Sequence, residues 1–217
     1  MHINRKNIGK FWPVPRTGTK YVAVSTHNQH TSIPLVVVMR DILKLIKNRK
    51  ELKKLLSEKQ VFINGENVRE THYPLSLFDV ISLPTVKKHY RAVLSEHRKM
   101  KFEEISEKEA EKKVLKVIGK KMLKGKIIQI NFLNGRNALL KDSISVDDSV
   151  LYNFKQKKIE KIIRMETGRK VYLIQGKHIG NQGTIESIIE RGGKKLLKMK
   201  GNDDKINVWV KNVIVME

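Results

Sequence analysis

"VYLIQGKHIGNQGTIESI", residues 171–188, sets Gly176, Gly180 and Gly183 between two apolar runs, beside Lys177 and His178. A phosphate-binding Walker loop needs G-x-x-x-x-G-K-S/T, and counted from Gly176 the second glycine would fall on Asn181. A dinucleotide fingerprint needs G-x-G-x-x-G; Gly180 and Gly183 supply the last pair, but His178 takes the place of the first glycine. Both motifs also open a helix whose N-terminal amides meet the anion, whereas this chain runs on into the β-branched "TIESII". The stretch therefore reads as strand, loop, strand. Gly183 is expected to permit a bend or bulge where the second strand starts, and Gly176 and Gly180 to let the loop pass close to another backbone. Lys177, His178 and Asn181 are left exposed on the loop.

The surrounding segment, 167–217, is strand-rich throughout, with "KKLLKMK" and "KINVWVKNVIVM" following and glycine-bearing turns between. Strands this short favour closure into a small β-barrel. Trp209 lies between Val208 and Val210, so alternation alone allows either core or surface.

Upstream, 85–166 holds 21 basic and 11 acidic residues. "SEKEAEKKVLKVIGKK" has Ser106 and Glu109 in capping-box spacing and predicts a helix with Val114, Leu115, Val117 and Ile118 as its apolar face. "KIIQINFLNGRNALL" predicts a hairpin about Asn134-Gly135, and "VDDSVLYNF" a further strand, giving a central α+β module.

Residues 34–84 predict two helices and a hairpin. "PLVVVMRDILKLIK" has apolar residues at helical spacing and places Arg40, Lys44 and Lys47 at i, i+4, i+7, one basic stripe. "RKELKKLLSEK" turns Leu52, Leu55 and Leu56 inward, with Arg49, Lys50, Lys53 and Lys54 on the flanks. Asn64-Gly65 in "VFINGENV" is the strongest short-range hairpin signal, and "FDVISL" closes the module. Residues 1–33 carry five basic and no acidic residues, with Phe11, Trp12 and Tyr21 among them. They read as an extended arm without its own core, in which Arg5, Lys6, Lys10, Arg16 and Lys20 meet phosphates while Trp12 and Tyr21 stack on unpaired bases.

Forty-five Lys and Arg against 22 Asp and Glu leave a net charge of +23, and a polyanion would relieve the self-repulsion this creates. No run reaches the ~18 apolar residues of a spanning helix, and no basic amphipathic anchor points to a membrane. The absence of cysteine removes disulfides, thiolate zinc sites and a cysteine nucleophile, and is compatible with a reducing cytosol. The N-terminus lacks the apolar core of a secretory signal, so it is expected to belong to the working protein. His27 and His30 are the only close histidine pair and have no carboxylate nearby, so no metal or other cofactor is expected. Asp147-Asp148 reads as turn chemistry, and no nucleophile set suggests catalysis or a small-molecule substrate.

In order, "WPVPRTGTKYV", "IPLVVVMRDILK", "VFINGENVRETHYPLSLFDVISL" and the glycine loop resemble the ribosomal protein S-four-e (S4e) family over nearly the whole chain, and the glycine loop resembles a KOW motif. The resemblance implies a structural component of the small ribosomal subunit in the cytoplasm, bound to small-subunit rRNA and neighbouring ribosomal proteins. It also implies that 34–84 is similar to an RNA-binding fold shared with another small-subunit protein, bacterial pseudouridine synthases and tyrosyl-tRNA synthetases. There Arg49 matches the basic residue opening the second helix, Lys53 a basic position one turn on, and Asn64-Gly65 the hairpin turn. Lys59-Gln60 stands where that motif has a glycine before the hairpin strand. The chain stops at Glu217, short of the tail of eukaryotic members, which points to an archaeal or reduced form. The rival classes are an RNA-modifying enzyme gripping substrate with the two-helix module, and a KOW-type transcription or translation regulator.

Overall fold

The computed structural model describes residues 2–95, 97–125, 127–140, 143–201 and 205–216. The chain divides into two compact units, one running up to Lys113 and the other starting at Val114. Both are dominated by antiparallel strands, so the expected α+β balance is corrected to a mostly β fold. The longest helix among the described residues has nine residues, and none is long and apolar enough to cross a membrane.

The first unit opens with β1 (His2–Asn4) paired to β2 (Tyr21–Ala23). Strand β3 (Ile33–Pro34) leads into one helical turn, α1 (Leu35–Val37), which widens into a π-helical stretch, Val38–Ile42, closed by Leu43 N–H donating to the Val38 carbonyl at 2.9 Å. The unbroken buried run from Ile33 to Met39 explains the position of this turn, since it has no solvent side. Helix α2 (Arg49–Ser57) is amphipathic as its leucines predict: Leu52 and Leu56 are buried and Leu55 packs against the same core. The Asn48 side chain caps it by accepting from Glu51 N–H at 3.0 Å, and the Glu51 carboxylate reaches back to Lys47 N–H at 2.7 Å.

Strands β4 (Phe62–Ile63) and β5 (Glu66–Asn67) form the expected hairpin, with Asn64 at φ 52° and Gly65 at φ 74°, the left-handed pair a two-residue turn of this kind requires. After β6 (Pro74–Leu75), strands β7 (Val80–Leu83), β8 (Lys88–Leu94) and β9 (Met100–Ile105) complete a sheet of order β5-β4-β7-β8-β9. Its inner face follows strict alternation: Tyr90, Ala92, Met100 and Phe102 join the cluster built on Ile33, Leu35, Leu52, Ile63 and Ile81. The turn α3 (Glu107–Ala110) follows.

Here the sequence expectation fails. Instead of continuing as a helix, the chain becomes β10 (Lys112–Met122), and Ser106 makes no side-chain cap. Val114, Val117 and Ile118 are β-branched, and their spacing satisfies a bulged strand as well as a helix; Val117 is buried while Ile118, at the register shift, faces out.

The second unit carries two sheets. In the first, β11 (Ile128–Phe132), β12 (Asn137–Leu140), β13 (Ser149–Asn153) and β14 (Lys158–Ile163) join β10 in the order β12-β11-β10-β13-β14, around Leu115, Val117, Ile130, Phe132, Ile144 and Val150. The hairpin β11–β12 forms as expected, though only Gly135 of its Asn-Gly pair takes a positive φ, 81°. In the second, β15 (Lys170–Leu173), β16 (Gln182–Arg191), β17 (Lys194–Lys200), β18 (Lys205–Trp209) and β19 (Val213–Val215) run in the order β18-β17-β16-β15-β19. The two edge strands of this sheet are joined by a single 3-10 turn, Val210–Asn212, so the sheet curls around Val171, Leu173, Leu197, Met199 and Val213.

Candidate nucleic-acid interface

Buried cations divide the basic residues into two populations. Lys113, 3% exposed, donates to the Asp79 carboxylate at 2.6 Å; the same carboxylate accepts from Asn64 Nδ2 at 2.7 Å and Ser76 N–H at 2.6 Å, while Asn64 Oδ1 accepts from Val80 N–H at 3.0 Å. The Asn64-Gly65 turn is thus anchored from inside by a complete polar network. Lys116, 2% exposed, donates to the Val210 carbonyl at 2.6 Å and the Val213 carbonyl at 2.8 Å and lies 3.3 Å from Asp147. Burial lowers its pKa, against the raising influence of Asp147. These two lysines belong to the fold, a role that charge counting did not separate from binding.

The described N-terminal segment is not an arm without a core. Trp12, expected to stack on a base, is 2% exposed inside the first unit's hydrophobic cluster. Met100 N–H donates to the Phe11 carbonyl at 2.8 Å and Lys99 Nζ to the Trp12 carbonyl at 2.9 Å, which fastens the segment to β9 and the turn before it. Arg5 is likewise committed: its guanidinium donates to the Thr19 carbonyl at 2.6 Å, the Pro15 carbonyl at 2.7 Å and Thr19 Oγ1 at 2.8 Å. Lys6, Lys10, Arg16 and Lys20 are exposed, and Lys20 Nζ lies 5.3 Å from the ring centroid of Tyr21, itself exposed.

The i, i+4, i+7 stripe does not exist. The helical stretch ends at Ile42 and Lys44 takes φ 54°, so Arg40, Lys44 and Lys47 lose their common phase. Arg40 forms a bidentate pair with Asp41, both bonds 2.8 Å, which raises its pKa first through that hydrogen bond. Lys44 and Lys47 are exposed. On α2, Arg49 and Lys53 are one turn apart and both exposed, as are Lys50 and Lys54; Arg49 Nε donates to Thr71 Oγ1 at 3.1 Å and Lys54 lies 3.9 Å from Glu58. This flank is the cationic face that the helix itself brings together. Lys59 stands at φ 57° immediately after α2, with its N–H donating to the Leu56 carbonyl at 3.2 Å: it occupies the left-handed position that a glycine favours.

In the glycine loop, Lys177 is exposed and His178 and Asn181 are half-buried. The glycine roles are exchanged relative to expectation. Gly176 and Gly180 are the conformational ones, at φ 104° and 88°, whereas a Cβ on Gly183 would collide with the Lys200 carbonyl oxygen of β17. The bulge lies two residues later, between Ile185 and Ser187. Asp147 and Asp148 are turn residues: Asp147 has φ 78°, and Asp148 accepts from Ser145 and Met165 N–H groups, each at 3.0 Å.

The outward face of β16–β18 was left open by the sequence. Register places Ile189, Leu196 and Trp209 side by side, with Ser187, Lys198 and Asn207 in the next row and Arg191 opposite Lys194 beyond. Val208 and Val210 are both buried, and this settles what alternation alone left open: Trp209 faces outward.

Comparison with known proteins gives the family. Residues 86–159 match Ribosomal family S4e. The small ribosomal subunit protein eS4 of Nanoarchaeum equitans is 30% identical over 98% of this chain and 94% of its own length, and that of Methanosphaera stadtmanae 33% identical over 86% and 79%. The crystal structure of the 30S ribosomal protein S4e from Thermoplasma acidophilum superposes with a TM-score of 0.74 at 28% identity, covering 86% of this chain and 95% of that one. The chain belongs to the S4e family of ribosomal proteins.

Proposed function

We propose that this chain binds small-subunit rRNA through the exposed flank of α2 (Arg49, Lys50, Lys53 and Lys54), through Lys6, Lys10, Arg16 and Lys20, and through Lys177, His178 and Asn181 of the glycine loop. As a member of its family it is a structural protein of the small ribosomal subunit and not an enzyme. Residues 34–84 act as the RNA-binding helix and hairpin module and 167–217 as a KOW-type barrel. The observation that carries the reading is the disposition of a +23 charge: after Lys113, Lys116, Arg5 and Arg40 are assigned to internal partners, exposed cations still line one flank of α2, and Lys177 stands exposed on the glycine loop. Phosphate neutralisation supplies the affinity and makes it salt-dependent, with log Kobs falling by roughly 0.7–0.9 per phosphate contact per tenfold salt. Residue-level crosslinking in purified small subunits tests it. Arg49 and Lys53 are expected to crosslink together; absence of crosslinks from both α2 and the glycine loop would overturn the assignment.

A further inference from the structure

We infer that the outward face of β16–β18 is a second RNA site, a stacking platform for an unpaired nucleotide centred on Trp209; the inference rests on the rRNA-binding reading above. Trp209 is 37% exposed on an antiparallel sheet whose other face is core, so its ring is held on a rigid strand. Ile189 and Leu196, its neighbours across β16 and β17, extend the apolar surface beside it into a floor. Cations adjoin that floor: Lys194 Nζ lies over the Trp209 ring, 6.0 Å from its centroid, Arg191 is paired opposite Lys194, and Lys198 stands in the adjoining row. The Gly192-Gly193 turn, at φ 58° and 69°, brings Arg191 and Lys194 face to face at the hairpin end.

Among the described residues of β16–β18, acidic groups do not cancel this patch. Glu190 alternates to the opposite face beside Lys195, and Glu186, at the bulge, pairs with Lys205 at 3.6 Å towards the far end. An aromatic ring on an apolar floor, edged by guanidinium and ammonium groups, matches a base with its flanking phosphates, because every base offers a π face and every linkage an anion. A protein partner docking on the same floor would have to desolvate Arg191, Lys194 and Lys198 or pair them with carboxylates. A duplex cannot use the ring, since its bases are already stacked on one another.

The test titrates the full-length protein with a fluorescein-labelled decauridylate and with a blunt RNA duplex, for wild type, Trp209→Leu and Trp209→Tyr. The chain has two tryptophans and Trp12 is buried, so quenching of tryptophan emission by decauridylate reports on Trp209. The platform predicts that quenching, a loss of about 5- to 150-fold in decauridylate affinity for Trp209→Leu, and near-complete retention for Trp209→Tyr, with duplex affinity unchanged. Circular dichroism of both variants confirms folding, and the tyrosine variant keeps the test valid should the leucine one unfold. Equal decauridylate binding by all three proteins, or an equal loss on duplex, overturns the platform. Crosslinks from α2 in subunits that persist alongside such a result confine the failure to this site; loss of α2 and glycine-loop crosslinks in the wild type removes the underlying reading as well.

Discussion

Replacing Lys116 by methionine keeps the length and apolar stem of the side chain and removes only its charge and donors. Strand β19 is tied to β15 at both ends, the Asn212 carbonyl accepting from Ile174 N–H at 2.9 Å and the Lys170 carbonyl from Met216 N–H at 2.8 Å. On the other edge, Val213 carbonyl takes Lys116 and Val215 N–H takes Ser149 Oγ at 3.1 Å. The substitution therefore leaves the Val213 carbonyl without this donor, a loss of roughly 1–3 kcal/mol. Val210 carbonyl keeps the Val213 N–H of its own turn, so losing Lys116 there weighs less. Asp147 is partly solvated and relief of the ammonium's own desolvation cost offsets the weaker loss at Val210, so the net expectation remains a destabilisation of about 1–3 kcal/mol. Burial holds the Lys116 pKa below the ordinary lysine value. Between the two values the unfolded chain binds more protons, so wild-type stability rises with pH there, and the gap to Lys116→Met widens as pH climbs. Urea unfolding at a series of pH values, with hydrogen exchange of peptides covering 205–216, reads both effects. Unchanged stability together with unchanged protection of β19 would refute the reasoning.

Three further substitutions follow from the same geometry. Lys59→Gly relieves a left-handed non-glycine residue after α2 and is expected to raise stability by about 0.5–1 kcal/mol, read as a higher urea midpoint at constant slope. Gly183→Ala drives a methyl onto the Lys200 carbonyl and is expected to lower it by about 1–3 kcal/mol, with faster exchange in β16 and β17. Asp79→Asn leaves the Lys113 ammonium buried without its carboxylate and is expected to cost about 3–5 kcal/mol in thermal unfolding, far more than neutralising the exposed Glu66 beside the same turn.

What could be read from residues alone was what local stereochemistry decides. Asn64-Gly65 needs two positive φ angles wherever it occurs, and the amphipathic "RKELKKLLSEK" can bury its leucines only as a helix. The path of 112–122 was not decided locally, because apolar residues at 114, 115, 117 and 118 satisfy two periods and the choice fell to pairing with β11. The glycine loop showed its strands but not which glycine met a neighbour, since the carbonyl that excludes a Cβ at Gly183 comes from β17. Arg5 and Trp12 were misread, and Lys113 and Lys116 passed over, for one reason. Composition reports charge and aromaticity, and neither says whether the side chain closes on its own chain.

The burial of Trp12 bears on how the protein joins its assembly. With that indole seated in the first unit and Phe11 bonded to β9, residues near the N-terminus have surrendered their chain entropy before any encounter. For this segment docking is then the meeting of a preformed surface with its partner, without a search through coil states, and it adds none of the large negative heat-capacity change of coupled folding.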